Sequence, residues 1–195
     1  MRIRLEKRGI RALGVSEVFR EGSGRKSTLA GVIIRSDLIV DGIIYGAATL
    51  EGDDATDAII DMFRRLNRND INVIILGGAV ISLYNIIDVD KVSAETQVPV
   101  ISVTFEESAG LESAIKHHFP NNWARKIETY RKLGGREPVD LKTGYRVYVR
   151  AAGTSTQEAK KALDKFTLQG ALPEPIRIAH LAAKAKFEAD QQHLD

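Results

Sequence analysis

The segment at residues 72–76 places the strongest constraint on the fold. Its sequence, NVIIL, is apolar on both faces of a strand, and two glycines, Gly77 and Gly78, follow it directly. A strand buried on both faces suits a central position in a parallel sheet, and such a sheet needs crossover connections that are usually helices. The segment therefore predicts an α/β fold.

Other segments predict strands on both sides of this one. Ser36 and Asp37 form a short turn between two apolar segments, and strands joined by so short a turn must be antiparallel. With the central segment included, the sequence predicts one mixed central β-sheet flanked by helices, in a single domain over residues 1–195. The remaining strands are predicted at residues 11–19, 28–35, 38–49, 98–105 and 145–151.

Helical periodicity indicates the layers that cover the sheet. In the last predicted helix His180 shares a face with Ile176, Ala183 and Phe187, which predicts a hydrogen-bonded histidine in the core. The predicted helices lie at residues 53–66, 88–96, 110–133, 155–169 and 174–189.

Composition excludes several classes of site. The sequence contains no cysteine, which rules out disulfides, thiolate metal sites and cysteine nucleophiles. The first residues are charged and lack the apolar core of a signal peptide, and the longest apolar stretch, 38–50, is too short for a membrane span. We therefore expect a cytoplasmic protein with no membrane association. The sequence leaves the oligomeric state open.

Basic residues are concentrated in one part of the chain. Residues 116–151 carry nine Lys and Arg against three Asp and Glu, and Trp123, Tyr130, Tyr145 and Tyr148 are interleaved with them. Cations bind phosphates and flat rings stack on exposed bases, so this composition is typical of a surface that binds DNA or RNA. A solvated helix face followed by a half-buried strand would give the same pattern.

Four acidic residues lie in or near the predicted strands. Glu17 is in the first strand, Asp41 in the third, Glu51 just after the third, and Asp88 after the fourth. Two to four converging carboxylates can bind Mg²⁺ for phosphodiester hydrolysis, because this hard cation prefers oxygen ligands. The alternative is that these four residues are ordinary surface acids.

The C-terminal part of the chain resembles a known nuclease family. Residues 147–182, VYVRAAGTSTQEAKKALDKFTLQGALPEPIRIAHLA, are similar to the end of endonuclease V, and YGAATLEGDDATDAII is similar to the segment before that family's first helix. Over nearly the whole chain, GIRALGV, IVDGIIYG, GDDAT, QVPVISV and LPEPIRIAHL resemble the archaeal domain-of-unknown-function 99 family (uncharacterised protein family 0215), which is itself endonuclease V-like. The resemblance implies a ribonuclease H-like fold.

The same resemblance indicates that the usual catalytic residues are missing. Ser16 and Gly77 occupy positions where endonuclease V has aspartates, and Ala152 occupies the position of its histidine. Only Glu51 matches a catalytic carboxylate. Glu17 is adjacent to Ser16, but neighbouring residues of a strand point to opposite faces, so Glu17 cannot simply replace it.

Three hypotheses follow from these observations. In the first, the protein binds nucleic acid and its nuclease activity is lost or much reduced. In the second, it is an active Mg²⁺-dependent endonuclease, with Glu51 joined by Glu17, Asp41 or Asp88. In the third, it is a protein-interaction or assembly module. The candidate nucleic-acid surface consists of Arg20, Arg25, Lys26, Trp123, Arg125, Lys126, Arg131 and Lys132.

Overall fold

The chain builds a seven-stranded mixed β-sheet in the order β3-β2-β1-β4-β7-β9-β8. The computed structural model describes residues 9–22 and 24–192. The seven strands are β1 (Arg11–Val18), β2 (Lys26–Arg35), β3 (Val40–Thr49), β4 (Ile71–Leu76), β7 (Val100–Thr104), β8 (Glu137–Asp140) and β9 (Arg146–Ala152).

Three adjacent strands at the centre of the sheet run parallel. β1 pairs with β4, and β4 pairs with β7, both in parallel register. The central position predicted for residues 72–76 is therefore confirmed. β2 and β3 form the predicted antiparallel pair, and β9 runs antiparallel to β7. The carboxyl ends of β1, β4 and β7 meet at one edge of the sheet, which we call the carboxyl edge.

Helices cover both faces of the sheet. One core packs α1 and α2 against the sheet through residues such as Ile59, Met62 and Val92. The second core packs α5 and α6 against the other face through residues such as Phe166 and Ile176. The helices are α1 (Ala55–Leu66), α2 (Val89–Thr96), α3 (Glu112–His118), α4 (Trp123–Lys132), α5 (Thr156–Phe166) and α6 (Glu174–Gln192).

Several helix boundaries follow from local chemistry. The side chain of Asp88 accepts a hydrogen bond from the backbone N–H of Lys91 and so caps α2. Ser155 caps α5 in the same way through Glu158. The helix α1 ends at Asn67, which adopts the left-handed conformation with a φ of 48°.

The structure differs from the sequence predictions in four places. The helix predicted over 110–133 is two helices, since α3 ends at Phe119 and Pro120 follows. The edge strand β8 was not predicted. A two-stranded hairpin, β5 (Val80–Ile81) with β6 (Asn85–Ile86), was not predicted either. The side chain of His180 is exposed, so its predicted place in the core is wrong.

Candidate active site

Ser16 and Gly77 lie side by side at the carboxyl edge. The backbone N–H of Gly77 donates to the carbonyl of Val15 over 3.1 Å. A Cβ atom on Gly77 would lie 3.9 Å from the hydroxyl oxygen of Ser16. The two positions at which the family resemblance leads us to expect aspartates are thus neighbours, but neither carries a carboxylate. The only side-chain group that this pair offers to a cation is the neutral hydroxyl of Ser16.

The carboxylate of Glu17 is held by Ser82 in the loop between β5 and β6. One oxygen accepts the backbone N–H of Ser82 at 2.8 Å, and the other accepts its hydroxyl. Ser82 is 1% exposed, and its hydroxyl oxygen also lies 2.6 Å from that of the buried Ser27. The strand β1 is therefore tied to the hairpin through Glu17.

The hairpin loop has an unusual backbone. Ser82, Leu83 and Tyr84 all have positive φ values, of 47°, 54° and 67°, and nearby Glu51 has a φ of 60°. Non-glycine residues in this region cost on the order of 1 kcal/mol or more each, and they persist only where the surroundings hold them in place. Here the backbone N–H of Glu51 donates to the carbonyl of Ser82 at 2.8 Å. Strain of this kind is concentrated at functional sites.

The buried side chain of Asn85 fixes the hairpin to the start of α1. Its amide donates to the carbonyl of Thr49 at 2.9 Å and to Asp54 at 2.7 Å, and its oxygen accepts the N–H of Ala55. Burial alone would raise the pKa of Asp54, but hydrogen bonds from Thr49 and Asn85 outweigh it and hold that pKa below its usual value. Asp54 is thus held ionised as a structural anchor.

His118 approaches Glu51 from the end of α3. Its Nε2 atom lies 2.7 Å from a carboxylate oxygen of Glu51, and both side chains remain partly accessible to solvent. The ring of His118 packs against Tyr84 and Phe119, with centroid distances of 4.9 and 4.8 Å. A carboxylate that accepts from one imidazole nitrogen leaves the other free to accept a proton. Sequence reasoning missed His118 because 67 residues separate it from Glu51.

Lys126 connects the loop after β3 to the β5–β6 hairpin. Its side chain is 5% exposed, and its ammonium group donates to the carbonyls of Gly52 and Tyr84 at 2.8 and 3.2 Å and to Asp53 at 3.0 Å. A fully partnered, buried ammonium group cannot bind a phosphate in solution. This corrects the expectation that Lys126 offers its charge to a nucleic acid.

Glu51 and His118 line an open cleft of about 680 Å³. Arg25 and Leu83 line the same cleft. We call it the Glu51 cleft. It combines the carboxylates of Glu51 and Glu21, an imidazole, a guanidinium group and an aliphatic side chain, which is a set suited to a charged substrate with an apolar part.

The other predicted nucleic-acid residues occupy different environments. Arg131 pairs with Glu112 at 2.8 Å, and Lys132 pairs with Glu128 at 3.0 Å. Arg20 lies over the ring of Phe187 at 5.9 Å. The side chains of Lys26, Trp123 and Arg125 are exposed, although Lys116 lies 5.1 Å from the Trp123 ring and Arg125 is 3.9 Å from Asp53.

Two acids and one alanine from the sequence hypotheses lie elsewhere. Asp41 pairs with Arg11 and Arg68 near the start of β3, and that ten-residue strand, roughly 30 Å long at ~3.3 Å per residue, separates it from Glu51. Asp88 caps α2. Ala152 is buried and pairs with Val100 at the start of β7, at the end away from the carboxyl edge. These placements correct the expectation that Asp41 and Ala152 share a site with Glu51.

A second cleft, of about 390 Å³, opens at the carboxyl edge beyond Gly77 and Gly78. Arg136, Arg150 and Tyr130 line it, together with the ends of β4 and β7. We call it the arginine cleft. Both arginines belong to the basic segment 116–151, where no sequence pattern distinguishes them from their neighbours.

The described residues contain no cluster of three or more side chains that could enclose a divalent metal by themselves. Within 9–22 and 24–192, no three histidine, aspartate or glutamate side chains come together in a group that could hold one. The carboxylate of Glu17 accepts a hydrogen bond from Ser82, and the carboxylate of Glu51 is in hydrogen-bonding contact with His118. The carboxylates that Mg²⁺ prefers are therefore present but dispersed. No helix in the described parts of the chain has the length and apolar character to cross a membrane.

Comparison with known proteins identifies the family. The model of the endonuclease dU family matches residues 8–187. The chain belongs to the endonuclease dU family. Among curated members of UPF0215, a protein of Pyrobaculum calidifontis is 37% identical over 177 residues, which cover 90% of this chain and 96% of that protein. A protein of Pyrococcus horikoshii is 34% identical over 187 residues, which cover 94% and 95%.

Solved structures confirm the fold of this endonuclease dU family member. A protein of unknown function from Archaeoglobus fulgidus superposes with a TM-score of 0.76 at 28% identity, over 90% of this chain and 96% of that one. Ciona intestinalis endonuclease V, in complex with DNA containing an inosine followed by a ribo-adenosine, gives a TM-score of 0.62 at 11% identity, over 93% and 87%. The predicted ribonuclease H-like fold with a mixed central sheet is confirmed, as is the predicted relation to UPF0215 and endonuclease V.

Proposed function

We propose that this member of the endonuclease dU family is a nucleic-acid endonuclease whose active centre has been rebuilt around Glu51 and His118. The observation that carries the proposal is the 2.7 Å contact between these side chains at the floor of the Glu51 cleft. An imidazole oriented by a carboxylate is a general base of the kind used in many hydrolases.

The geometry supports a simple division of roles. Glu51 accepts the Nε2–H of His118 and so leaves Nδ1 to take a proton from a water molecule. That water attacks the phosphorus of a phosphodiester, the bond from phosphorus to the leaving oxygen breaks, and the leaving oxygen receives a proton from solvent. Glu17 is a positioning residue, because it holds Ser82, whose carbonyl in turn accepts the backbone N–H of Glu51.

The substrate we propose is a DNA strand that carries a modified base. The family is called endonuclease dU, and the structurally similar Ciona endonuclease V was crystallised with DNA containing inosine. Arg25 lies in the same cleft as Glu51 and is placed to bind a phosphate. The exposed side chains of Lys26, Trp123 and Arg125 extend the proposed surface beyond the cleft.

No step is assigned to a metal ion, because no three histidine or carboxylate side chains come together within residues 9–22 and 24–192. Mg²⁺ can, however, bind through one or two carboxylates together with a substrate phosphate. The activity assay therefore has one arm with Mg²⁺ and one with EDTA.

A second candidate function is binding without cleavage. It is favoured by Ser16 and Gly77, which lie together where endonuclease V has carboxylates. This candidate predicts that the wild type binds DNA and leaves it intact. It also predicts that the double variant Ser16→Asp with Gly77→Asp gains Mg²⁺-dependent cleavage. The Cβ of residue 77 would lie 3.2 Å from the side chain of Ile176, which has to move by a few tenths of an ångström.

Cleavage of end-labelled strands distinguishes the two candidates. Strands with one deoxyuridine, one inosine or only ordinary bases would be incubated with the protein and run on a denaturing gel. The endonuclease proposal predicts cleavage of a modified strand by the wild type and at least a 100-fold slower rate for Glu51→Gln. A control variant, Glu188→Gln, removes an exposed carboxylate on α6 and should cleave at the wild-type rate. Equal rates for Glu51→Gln and the wild type would overturn the proposal.

A further inference from the structure

The arginine cleft contains two arginines that form no ion pair within the described residues, Arg150 and Arg136. Across the sheet, Leu76 of β4 pairs with Ser102 of β7, and Ser102 pairs with Arg150 of β9. This register brings Arg150 level with the end of β4. Arg136 enters the cleft from the segment just before β8. Both guanidinium groups therefore lie at the carboxyl ends of parallel strands, the edge at which open α/β sheets bind ligands.

Arg150 is half-buried and has only neutral partners. Its Nε donates to the carbonyl of Gly134 over 3.2 Å. Burial lowers the pKa of Arg150, and the nearby charge of Arg136 lowers it further, while Tyr130 opposes both effects. In the described parts of the chain, no carboxylate forms an ion pair with Arg150. A half-buried cation without an anion is an unfavourable arrangement unless a ligand supplies the charge.

Arg136 is held in place by oxygens that are also neutral. It donates to the hydroxyl of Thr104 at 2.8 Å and to the carbonyls of Glu106 and Ser108 at 3.2 and 3.1 Å. Its guanidinium group stacks on the Tyr148 ring at 5.5 Å. Glu106 and Glu107 also line the cleft, yet neither carboxylate pairs with Arg136 within the described residues. The side chain is thus held in one orientation by neutral groups.

Other arginines of the basic segment are neutralised. Arg131 pairs with Glu112, and Arg146 pairs with Asp140. The carboxylates raise the pKa of both arginines, in contrast to the lowered pKa of Arg150. Arg150 and Arg136 therefore differ from these nearby arginines of the sequence, because they have no carboxylate partner within the described residues.

From these contacts we infer that the arginine cleft binds a phosphate group, through Arg150 and Arg136. Guanidinium groups match the oxygens of a phosphate with paired hydrogen bonds, and the side-chain-free Gly77 and Gly78 leave room for it at the end of β4. Tyr130, which also lines the cleft, provides a ring beside it.

The source of the phosphate that we commit to is a nucleic-acid strand, and this part of the inference rests on the proposed function. The β5–β6 hairpin separates the two clefts, because Val80 lines the arginine cleft and Leu83 lines the Glu51 cleft. A strand that crosses the hairpin contacts both clefts. The arginine cleft then binds a phosphodiester a few nucleotides from the bond that is cleaved.

Strand binding without cleavage tests this inference separately from the nuclease activity. Fluorescence anisotropy would measure the affinity of a labelled 24-nucleotide strand for Glu51→Gln protein, in EDTA, at two salt concentrations. Adding Arg150→Gln should weaken binding about tenfold and reduce the slope of log affinity against log salt by about 0.7, as expected for one lost phosphate contact on a single strand. Arg64→Gln removes an exposed arginine of α1 that pairs with Glu95 of α2 and lines neither cleft, and it should change neither value. An unchanged affinity and slope for Arg150→Gln would overturn the inference.

Two further measurements show whether the loss of affinity comes from misfolding and identify the source of the phosphate. Arg150→Lys keeps the charge but not the paired hydrogen bonds, so it should restore the salt slope and only part of the affinity. In the wild type, mass spectrometry would follow modification of Arg150 by phenylglyoxal, and the strand should slow it at least fivefold. Inorganic phosphate and a deoxymononucleotide would be tested as alternative protectants. Protection by either small anion at micromolar concentration, without protection by the strand, would overturn the assignment to nucleic acid.

Discussion

The imidazole of His118 lies 2.7 Å from the carboxylate of Glu51, although 67 residues separate them along the chain. The fold brings them together because α3 ends beside the loop that follows β3, and Tyr84 of the hairpin packs against the imidazole ring. The family's expected pair, Ser16 and Gly77, lies at the carboxyl edge without carboxylates. The proposed active centre accordingly lies between the loop after β3 and the end of α3, beside the hairpin.

Substitution of Lys126 tests whether the stability of the hairpin depends on its buried ammonium group. Lys126→Met keeps the length of the side chain but leaves the carbonyls of Gly52 and Tyr84 without their donor, so we expect a loss of about 2 kcal/mol in the free energy of unfolding. The neighbouring exposed residue gives a matched control, since Arg125→Met should change stability by less than about 0.5 kcal/mol. Urea denaturation measures both. Equal effects would contradict the structural role of Lys126.

Ser82 connects Glu17 to the backbone of Glu51. Ser82→Ala removes the hydroxyl that Glu17 and Ser27 share, and we expect a loss of roughly 1–3 kcal/mol in stability because buried polar groups lose a partner. Cleavage by the folded variant should also slow, since the position of Glu51 is relaxed. Thermal unfolding and the strand assay check the two effects. Ser113→Ala, at an exposed position of α3, serves as the control and should alter neither.

The ion-pair network around Asp41 predicts a specific pH dependence. Hydrogen bonds from Arg11 and Arg68 lower the pKa of Asp41, so its ionised form stabilises the folded state above the usual carboxyl range and this contribution is lost as the pH falls below about 4. Asp41→Asn should have a lower melting temperature than the wild type at pH 6, and the difference should shrink toward pH 3. Calorimetry at several pH values measures it. A difference that grows on acidification would have the wrong sign for this account.

The same variant separates structure from chemistry. Asp41 lies at the opposite end of β3 from Glu51, so Asp41→Asn should leave the cleavage rate of the folded protein unchanged.

Gly14 is a position where we expect any side chain to destabilise the fold, because β1 and α6 are in close contact there. A Cβ atom at this position would lie 2.3 Å from backbone atoms of Pro175, where the start of α6 presses on β1. Gly14→Ala should therefore destabilise the protein by at least about 1–3 kcal/mol, the usual range for overpacking. Gly135→Ala adds the same methyl group where no atom lies within 4 Å, and it should be nearly neutral. Chemical denaturation compares them, and equal stabilities would contradict the close contact.

Sequence periodicity predicted the sheet and its layers because each of those elements carries its own apolar pattern. The segment 72–76 is apolar on both faces because it is covered by helices on both, and the short turn at Ser36 and Asp37 fixed an antiparallel pair. Pro120 lies between α3 and α4 and could have predicted the break between them. The helical periodicity on both sides of Pro120 instead suggested one continuous helix. The strand β8 has four residues and contains Pro138, so it has too little pattern to predict.

The candidate site could not be predicted in the same way, because its contacts join distant segments. Lys126 lies in a polar sequence and looks like a surface residue, yet its partners are 42 to 74 residues away. The left-handed conformations of Ser82, Leu83 and Tyr84 carry no sequence signal, since none of these residues favours positive φ. Family resemblance directed attention to Ser16 and Gly77, whereas only the structure brings His118 beside Glu51.

The most direct test of the central claim is a double-mutant cycle on Glu51 and His118. Rates of strand cleavage would be measured for the wild type, Glu51→Gln, His118→Asn and the double variant, after each is shown to be folded. If the two side chains act as a unit, each single variant loses at least about 100-fold and the double variant loses little more, as found for residues of one catalytic group. Rates for the single variants equal to the wild type, or losses that multiply in the double variant, would contradict the account.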